Sequence, residues 1–278
     1  MFKRLKRLFG TSNPVVNVIR LEGVIASGRG LSAMLNAKSL EPVLVKAFRQ
    51  KPAAVALAIN CPGGSPVQSA LIASRIRALA GENKIPVYAF CEDVAASGGY
   101  WLACAADEIY ADENSIVGSI GVIAGGFGFP KALAKLGVER RVHTAGLSKS
   151  TNDPFKPERP EDIKKLKSIL DEMHESFKAL VRRRRAGKLK VRESELFNGS
   201  YWTGNRAEKL GLIDGIGHIT PVLKAKFGNK VEINDMKESR GLRARLFGLN
   251  ARHGLATEFV ERGLTALDER GLWGRYGL

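Results

Sequence analysis

Two patterns of apolar and polar positions alternate along the chain, one typical of strands and one typical of helices. Continuous or β-branched apolar runs predict buried strands at residues 15–25, 53–59, 86–91 and 108–110, and a further strand at 139–144. Apolar residues at helical spacing predict helices at residues 31–50, 67–80, 97–106, 131–136 and 161–185, and two short helices within 207–227. Buried strands that alternate with helices indicate an α/β fold with a mainly parallel sheet flanked by helices.

The same pattern divides the chain into three parts. We expect a basic N-terminal segment at residues 1–14, a folded domain at 15–230, and a tail at 231–278 with an amphipathic helix near 255–267. No apolar run is long enough to span a bilayer, and the N-terminus lacks the apolar core of a secretory signal. The cysteines Cys61, Cys91 and Cys104 cannot all pair. These features predict a cytoplasmic protein.

The formal net charge of +16 changes this picture in two places. The arginine run at residues 182–185 is interpreted as a solvated helix face. In the N-terminal segment, Phe2, Leu5 and Phe9 share a helical face opposite four cations. That pattern is typical of a short interfacial anchor, which would give peripheral contact with the inner face of a membrane. A frayed basic terminus fits the same residues, and nucleic acid is not an expected partner.

Two glycine-rich turns carry the candidate chemistry. Ser97 lies in a turn of small residues that leads directly into an apolar helical stretch. A second turn, which contains Gly63 and Gly64, follows the apolar run at residues 53–59. A serine at a helix N-terminus and a backbone loop free of side chains supply an acyl-transfer enzyme with a nucleophile and with amide donors for an oxyanion.

A serine nucleophile needs a base, and the residue types leave several alternatives. The histidines are interpreted as surface or packed residues, because no turn that contains one resembles a catalytic turn: His143, His174, His218 and His253. Cys61 as a thiol nucleophile has no histidine near it in sequence. The chain also lacks the spacing of a zinc-binding helix, so no metal is expected. Burial can make a lysine a base, although the residue pattern does not identify which lysine.

Five stretches of the chain together resemble one known family. They are Asn60-Cys61-Pro62-Gly63-Gly64, Ala96-Ser97-Gly98-Gly99-Tyr100, Ser115-Ile116-Val117-Gly118-Ser119-Ile120-Gly121-Val122, Ala145-Gly146-Leu147-Ser148-Lys149-Ser150 and the run from Gly204 to Asp214. From residue 15 to about 217 the chain is similar to the short form of the signal peptide peptidase A family. These are serine–lysine peptidases that share the fold of Clp protease and crotonase.

The resemblance implies a role for each site residue. Ser97 is the nucleophile, Lys149 the general base, and Ser119 the hydroxyl that holds the lysine amine. The amides of Gly64 and Gly98 are the oxyanion donors. No cofactor is implied. Relatives form rings or domes in which the serine of one copy meets the lysine of the next, so a homo-oligomer with shared active sites is expected.

The sequence therefore predicts a serine endopeptidase with a Ser–Lys dyad that cleaves unfolded or hydrophobic peptides. Apolar substrate pockets are expected from residues 100–106 and 125–129. Acyl-CoA chemistry of the crotonase type would explain the glycine turns but not Ser97 together with Lys149. The alternative from another class is a catalytically silent crotonase-like scaffold that binds membrane or nucleic acid through its basic patches.

Overall fold

The computed structural model describes residues 13–27, 34–146, 148–236 and 271–277. Most of the predicted N-terminal segment, including its amphipathic pattern, lies outside these residues. So does the helix predicted near residues 255–267. Within the described ranges, no helix has the length and apolar character needed to cross a membrane.

The helices and strands of the described residues follow the predicted alternation. The strands are β1 (Val15–Glu22), β2 (Ala54–Cys61), β3 (Val87–Ala96), β4 (Glu108–Ala111), β5 (Ile116–Gly118), β6 (Tyr201–Thr203), β7 (Gly215–Ile216) and β8 (Glu232–Asp235). The helices are α1 (Ala37–Arg49), α2 (Pro66–Asn83), α3 (Gly98–Ala103), α4 (Pro130–Lys135), α5 (Pro160–Arg184), α6 (Glu193–Leu196), α7 (Gly204–Leu210) and α8 (Ile219–Phe227).

The strands form one twisted sheet in the order β6-β5-β3-β2-β1-β8. The β4 strand pairs with the first half of β3 and with β7, and β5 pairs with the second half of β3. Every pair is parallel except β5 with β6. The predicted α/β class with a mainly parallel sheet is confirmed.

The alternation of side chains along β2 explains why both faces of the sheet are covered. Its larger side chains, Val55, Leu57 and Ile59, enter the main core with α1, α2 and α3. Its alanines at 54, 56 and 58 face the other side, where Leu223 of α8 packs in a smaller cluster. A continuous apolar run is therefore required, as in other strands buried on both faces.

Two parts of the sequence-based outline differ from the structure. The predicted strand at residues 139–144 is wrong: these residues have no regular secondary structure, their side chains are exposed, and no strand among the described residues pairs with them. Conversely, the sheet continues past residue 230, where the folded domain was predicted to end. The β8 strand pairs with β1 from Val15↔Glu232 to Val18↔Asp235.

The arginine run is not a fully solvated face. Arg185, just after α5, is 2% exposed, donates to the carbonyl of Gly211 at 3.0 and 2.8 Å, and pairs with Asp214 at 2.6 Å. Lys188 also pairs with Asp214, at 2.7 Å. Arg184 donates to the carbonyls of Cys104 and Ala106. The interpretation as a solvated face is wrong for these two arginines, which fasten the end of α5 to the core.

We predict that Arg185→Met destabilises the fold by about 3 kcal/mol, because it leaves the Asp214 carboxylate partly buried without its main partner. Urea unfolding would measure this loss. The matched control is Arg141→Met, because Arg141 forms an exposed ion pair with Glu139 that contributes little. Equal stability of the Arg185 variant and the control would contradict the prediction.

The stability difference between wild type and Arg185→Met should depend on pH. Burial alone would raise the pKa of Asp214, but hydrogen bonds from Arg185, Lys188 and the Ile109 N–H outweigh burial and lower this pKa. A carboxyl with a lowered folded-state pKa stabilises the fold above its unfolded pKa of about 3.9 and loses that contribution as the pH falls further. The stability difference between wild type and Arg185→Met should therefore shrink in acid below that value.

Candidate active site

Ser97 occupies a strained turn between β3 and α3. Its φ of +52° lies in the left-handed region, which is unfavourable for a residue with a side chain. The backbone N–H of Ser97 donates to the carbonyl of Gly118 at 2.8 Å, and its carbonyl accepts from the N–H of Trp101 at 3.0 Å. The turn is thus fixed at both ends, and Ser97 lines a cleft of about 610 Å³.

The second glycine turn lies directly against this serine. A Cβ on Gly63, whose φ is +109°, would lie 2.8 Å from the Cβ of Ser97. A Cβ on Gly64, whose φ is +136°, would lie 2.0 Å from the carbonyl oxygen of Ile25. Both glycines are therefore required by close approach as well as by backbone conformation.

The backbone amides of Gly64 and Gly98 are directed by the surrounding hydrogen bonds. Ile25 donates to the carbonyl of Gly63 at 2.8 Å and accepts from the N–H of Ser65 at 2.7 Å. Ile25 thus bonds to the residues on either side of Gly64, which is the pattern of a parallel bridge. In this pattern the N–H of Gly64 itself points away from Ile25. Gly98 begins α3, where the first N–H groups have no intrahelical acceptor. Both glycines line the cleft with Ser97.

Ser119 reaches the same cleft from the neighbouring strand. Because Ala96 of β3 pairs with Gly118 of β5, Ser97 and Ser119 both follow paired residues at the same edge of the sheet. Ser119 also has a positive φ, is 5% exposed, and donates its N–H to the carbonyl of Ser200 at 2.7 Å. Its hydroxyl lies at the wall of the cleft.

Lys149 is the predicted site residue that lies elsewhere. It is exposed in a turn whose backbone is held by a bond from its N–H to the carbonyl of Gly146 at 3.2 Å. It does not line the cleft. Within one protomer the structure therefore brings together Ser97, Ser119, Gly64 and Gly98, but not the lysine.

Lys149 belongs to a protruding segment, residues 124–159, which we call the arm. None of the described residues of the arm is buried. The arm is held together internally by Phe129 and Phe155, whose ring centroids are 5.6 Å apart, and by an ion pair between Arg140 and Asp153. It exposes large apolar side chains, including Phe127 and Leu136, which are 80% and 75% exposed. An exposed apolar surface of this kind is typical of an interface.

The apolar lining of the cleft agrees only partly with the predicted substrate pockets. Trp101 of α3 lines the cleft as expected. Residues 125–129 instead lie on the arm, where residues 125–128 line a separate cavity. Sequence reasoning missed several other apolar lining residues, among them Val122, Ile123, Phe177 and Phe197. It also missed His174, which lines the cleft with its Nε2 3.1 Å from the carbonyl of Ile120. The apolar stripe of α5, which contains Phe177, was the available signal.

The mainly parallel α/β sheet thus brings Ser97 and the backbone amides of Gly64 and Gly98 into one cleft. This arrangement suits a hydrolase that forms an acyl-enzyme. The sequence profile of Peptidase family S49 matches residues 80–231, more than half of the chain. The chain therefore belongs to peptidase family S49.

Individual relatives agree with this family but differ in length. Over its whole length the chain is 47% identical to part of a protein named Na(+)/H(+) antiporter NhaA from Brucella melitensis biotype 1, of which it covers 39%. It is 32% identical to the chloroplastic serine protease SPPA of Arabidopsis thaliana, with 74% of this chain and 31% of that protein covered. The chain thus spans less than half the length of these two relatives.

A solved structure supports the fold. It is described as a mutant of 1510-N membrane-bound stomatin-specific protease in complex with a substrate peptide. The TM-score is 0.54 at 17% identity, and the similarity covers 85% of this chain and 97% of that chain.

We predict that Gly64→Ala lowers the free energy of unfolding by about 2 kcal/mol, because its Cβ would collide with the Ile25 carbonyl at a φ unfavourable for alanine. Chemical denaturation would measure the loss. Gly126→Ala is the matched control, since a Cβ there has no neighbour within 4 Å. A Gly64 variant as stable as this control would show that the turn tolerates a side chain.

Proposed function

We propose that the chain is a serine endopeptidase in which Ser97 attacks the scissile carbonyl of an extended peptide. The observation that carries this proposal is the shared cleft, in which the strained Ser97 turn lies beside the amide-bearing residues Gly64 and Gly98. Preorganised amides stabilise the oxyanion of a tetrahedral intermediate without reorganisation during the reaction. Membership of peptidase family S49 supports the same chemistry.

In the proposed reaction, a neutral Lys149 accepts the hydroxyl proton of Ser97 as the Ser97 oxygen bonds to the peptide carbonyl carbon. The negative charge on the carbonyl oxygen is then held by the N–H groups of Gly64 and Gly98. Collapse of the intermediate breaks the C–N bond, and the proton passes from Lys149 to the leaving amine. Water then hydrolyses the acyl-enzyme in the same sequence, and Ser97 is restored. Ser119 orients the lysine amine.

We infer that the lysine comes from the arm of a neighbouring copy. Lys149 is exposed and lies outside the cleft of its own protomer, while the arm that bears it displays exposed apolar side chains. Packing of this arm on a second copy would bury those side chains and deliver the lysine at the same time. A homo-oligomer with shared active sites is the arrangement that uses both features.

The substrate class follows from the walls of the cleft. Trp101, Phe177 and Phe197 provide apolar surface close to the serine, and Trp101 and Phe177 pack with ring centroids 4.8 Å apart. Such walls favour apolar side chains of an unfolded or extended peptide. The substrate peptide bound by the structurally similar stomatin-specific protease supports peptides as ligands here.

The decisive experiment compares cleavage of a peptide library by wild type, Ser97→Ala and Lys149→Arg. Ser97→Ala should retain less than about 1% of the rate because the nucleophile is removed. Lys149→Arg should be similarly inactive, since a guanidinium remains protonated at any working pH. Lys135→Arg, an exposed substitution on the same arm, is the matched control and should keep full activity.

The same variants separate the enzyme from a silent scaffold. The position of Lys149 outside its own cleft is the observation that favours the scaffold. An active-site-directed fluorophosphonate should label Ser97 in wild type and leave Ser97→Ala unlabelled. Absence of labelling and cleavage in the assembled wild type would favour the scaffold, and a fully active Lys149→Arg variant would remove the lysine from its proposed role.

A mixing experiment tests the shared site. Neither Ser97→Ala nor Lys149→Ala should cleave peptide alone. After subunit exchange in equal amounts, random assembly should restore about a quarter of the sites, because the serine and lysine of each site come from different copies. Mixing Ser97→Ala with the Ser97→Ala, Lys149→Ala double variant is the control and should restore nothing. Absence of rescue despite demonstrated exchange would leave the site within one protomer.

A further inference from the structure

Residues 271–277, far from Ser97 in sequence, lie against the candidate active site. We call them the capping segment. Leu272 and Arg275 line the cleft together with Ser97 and Ser119. The segment forms one helical turn followed by a hydrogen-bonded turn in which the N–H of Tyr276 donates to the carbonyl of Trp273 at 2.9 Å. The segment therefore forms part of the wall of the cleft that contains the serine.

Tyr276 makes the most specific contacts of the capping segment. Its hydroxyl lies 3.3 Å from the Oγ of Ser119 and 3.5 Å from the carbonyl oxygen of Pro62. A phenol can accept from one group and donate to another, so both contacts can form together. The ring of Tyr276 packs edge-to-face on Tyr201 at 5.1 Å, and the Tyr201 hydroxyl donates to the carbonyl of Arg275 at 3.3 Å.

These contacts use groups that the proposed reaction also needs. The buried Ser119 hydroxyl is the group that would hold the Lys149 amine, and Pro62 immediately precedes the turn of Gly63 and Gly64. A phenol in contact with the Ser119 hydroxyl competes with an amine for hydrogen bonding to that hydroxyl. We propose that the cleft is a docking site for the capping segment of this chain, and that Tyr276 occupies the position where the arriving lysine must bind.

This inference rests on the proposed function, because the competition requires that Ser119 hold Lys149. It goes beyond that function by giving the cleft two alternative occupants, a segment of the same chain and the arm of a neighbour. Because the proposal assigns the Ser119 hydroxyl to both occupants, Tyr276 must leave it before Lys149 can bind. Because the capping segment belongs to the same chain as the cleft, its docking does not depend on protein concentration, whereas docking of a neighbour's arm does.

A binding experiment tests the docking without reference to catalysis. A fluorescent peptide of residues 270–278 is titrated against the full chain in a Ser97→Ala background, with and without Tyr276→Ala. The peptide should bind the Tyr276→Ala chain more tightly, because that chain has lost its own occupant. A peptide with Tyr276→Phe should bind about fivefold or more weakly, as expected for a lost hydroxyl hydrogen bond. Absence of binding, or equal binding to both chains, would overturn the proposal.

A rate experiment tests the competition. Tyr276→Ala should raise the rate of peptide cleavage several-fold at protein concentrations where assembly is incomplete, and Tyr201→Phe should raise it less. Tyr88→Phe, a substitution at a tyrosine outside the cleft, is the matched control and should leave the rate unchanged. An unchanged rate for Tyr276→Ala in an otherwise active enzyme would refute competition with Lys149.

Intact mass measurement separates a blocking segment from a substrate. The wild-type chain should keep residues 271–277 during incubation. A Ser97-dependent loss of this segment would make it a substrate and would contradict its role as a stable occupant. Because the peptide titration uses an inactive background, it decides the docking even if Ser97 and Lys149 prove dispensable for cleavage. Failure of the proposed function is therefore distinguishable from failure of the docking.

Discussion

The site depends on the close contact between its two glycine-rich turns, the one that contains Gly63 and Gly64 and the one that contains Ser97. The parallel strands β2 and β3 lie side by side, so their carboxyl ends meet at the same edge. There Gly63 approaches Ser97, and a Cβ on Gly99 would lie 2.2 Å from the carbonyl oxygen of Cys61. Any side chain at these glycines would separate the two turns. The backbone amides and the serine can share one cleft because this packing excludes side chains.

A second set of contacts fixes the C-terminal end of the long helix α5. Arg185 and Asp214 form a buried ion pair, and the Tyr100 hydroxyl donates to the carbonyl of Leu212 at 2.7 Å. Through these contacts the run from Gly204 to Asp214, quoted above for its resemblance to a peptidase family, holds α3 and the end of α5 in place. Its role in this structure is to support the site, since none of its residues lines the cleft.

The sequence predicted the strands β1 to β4, whose apolar residues pack on both faces of the sheet, but it did not predict the shorter strands β5 to β8. The continuous apolar run of β2 admits no other environment, and the turn residues around Gly63 and Ser97 could be recognised from composition. The sequence could not show that β5 pairs with β3, which brings Ser119 beside Ser97. Long-range pairing of that kind depends on tertiary packing, and a single strand does not specify its neighbour.

Predictions failed mainly where a residue's partner lies far away in the chain. Arg185 belongs to a run whose composition indicates solvent, yet its carboxylate partner lies at Asp214 and makes burial favourable. Residues 139–144 contain a single apolar residue, Val142, no strand of the described residues pairs with them, and they stay irregular. The contact of Tyr276 with Ser119 joins positions that no local pattern connects. Local periodicity predicts elements, whereas such contacts decide which of them meet.

The separation of a rigid serine from an exposed lysine has a consequence for control of the proposed enzyme. The proposed nucleophile and amide donors are held in place by glycine packing and strand pairing. The proposed base lies on the arm, none of whose described residues is buried, so its position depends on what the arm contacts. Ser119 lies where these two parts would meet, and its hydroxyl is the contact that Tyr276 now makes. In this arrangement, assembly and uncapping act on the same buried hydroxyl, so a lone protomer would be restrained twice: its proposed base, Lys149, lies outside its own cleft, and Tyr276 of its own chain contacts the hydroxyl that would hold that lysine.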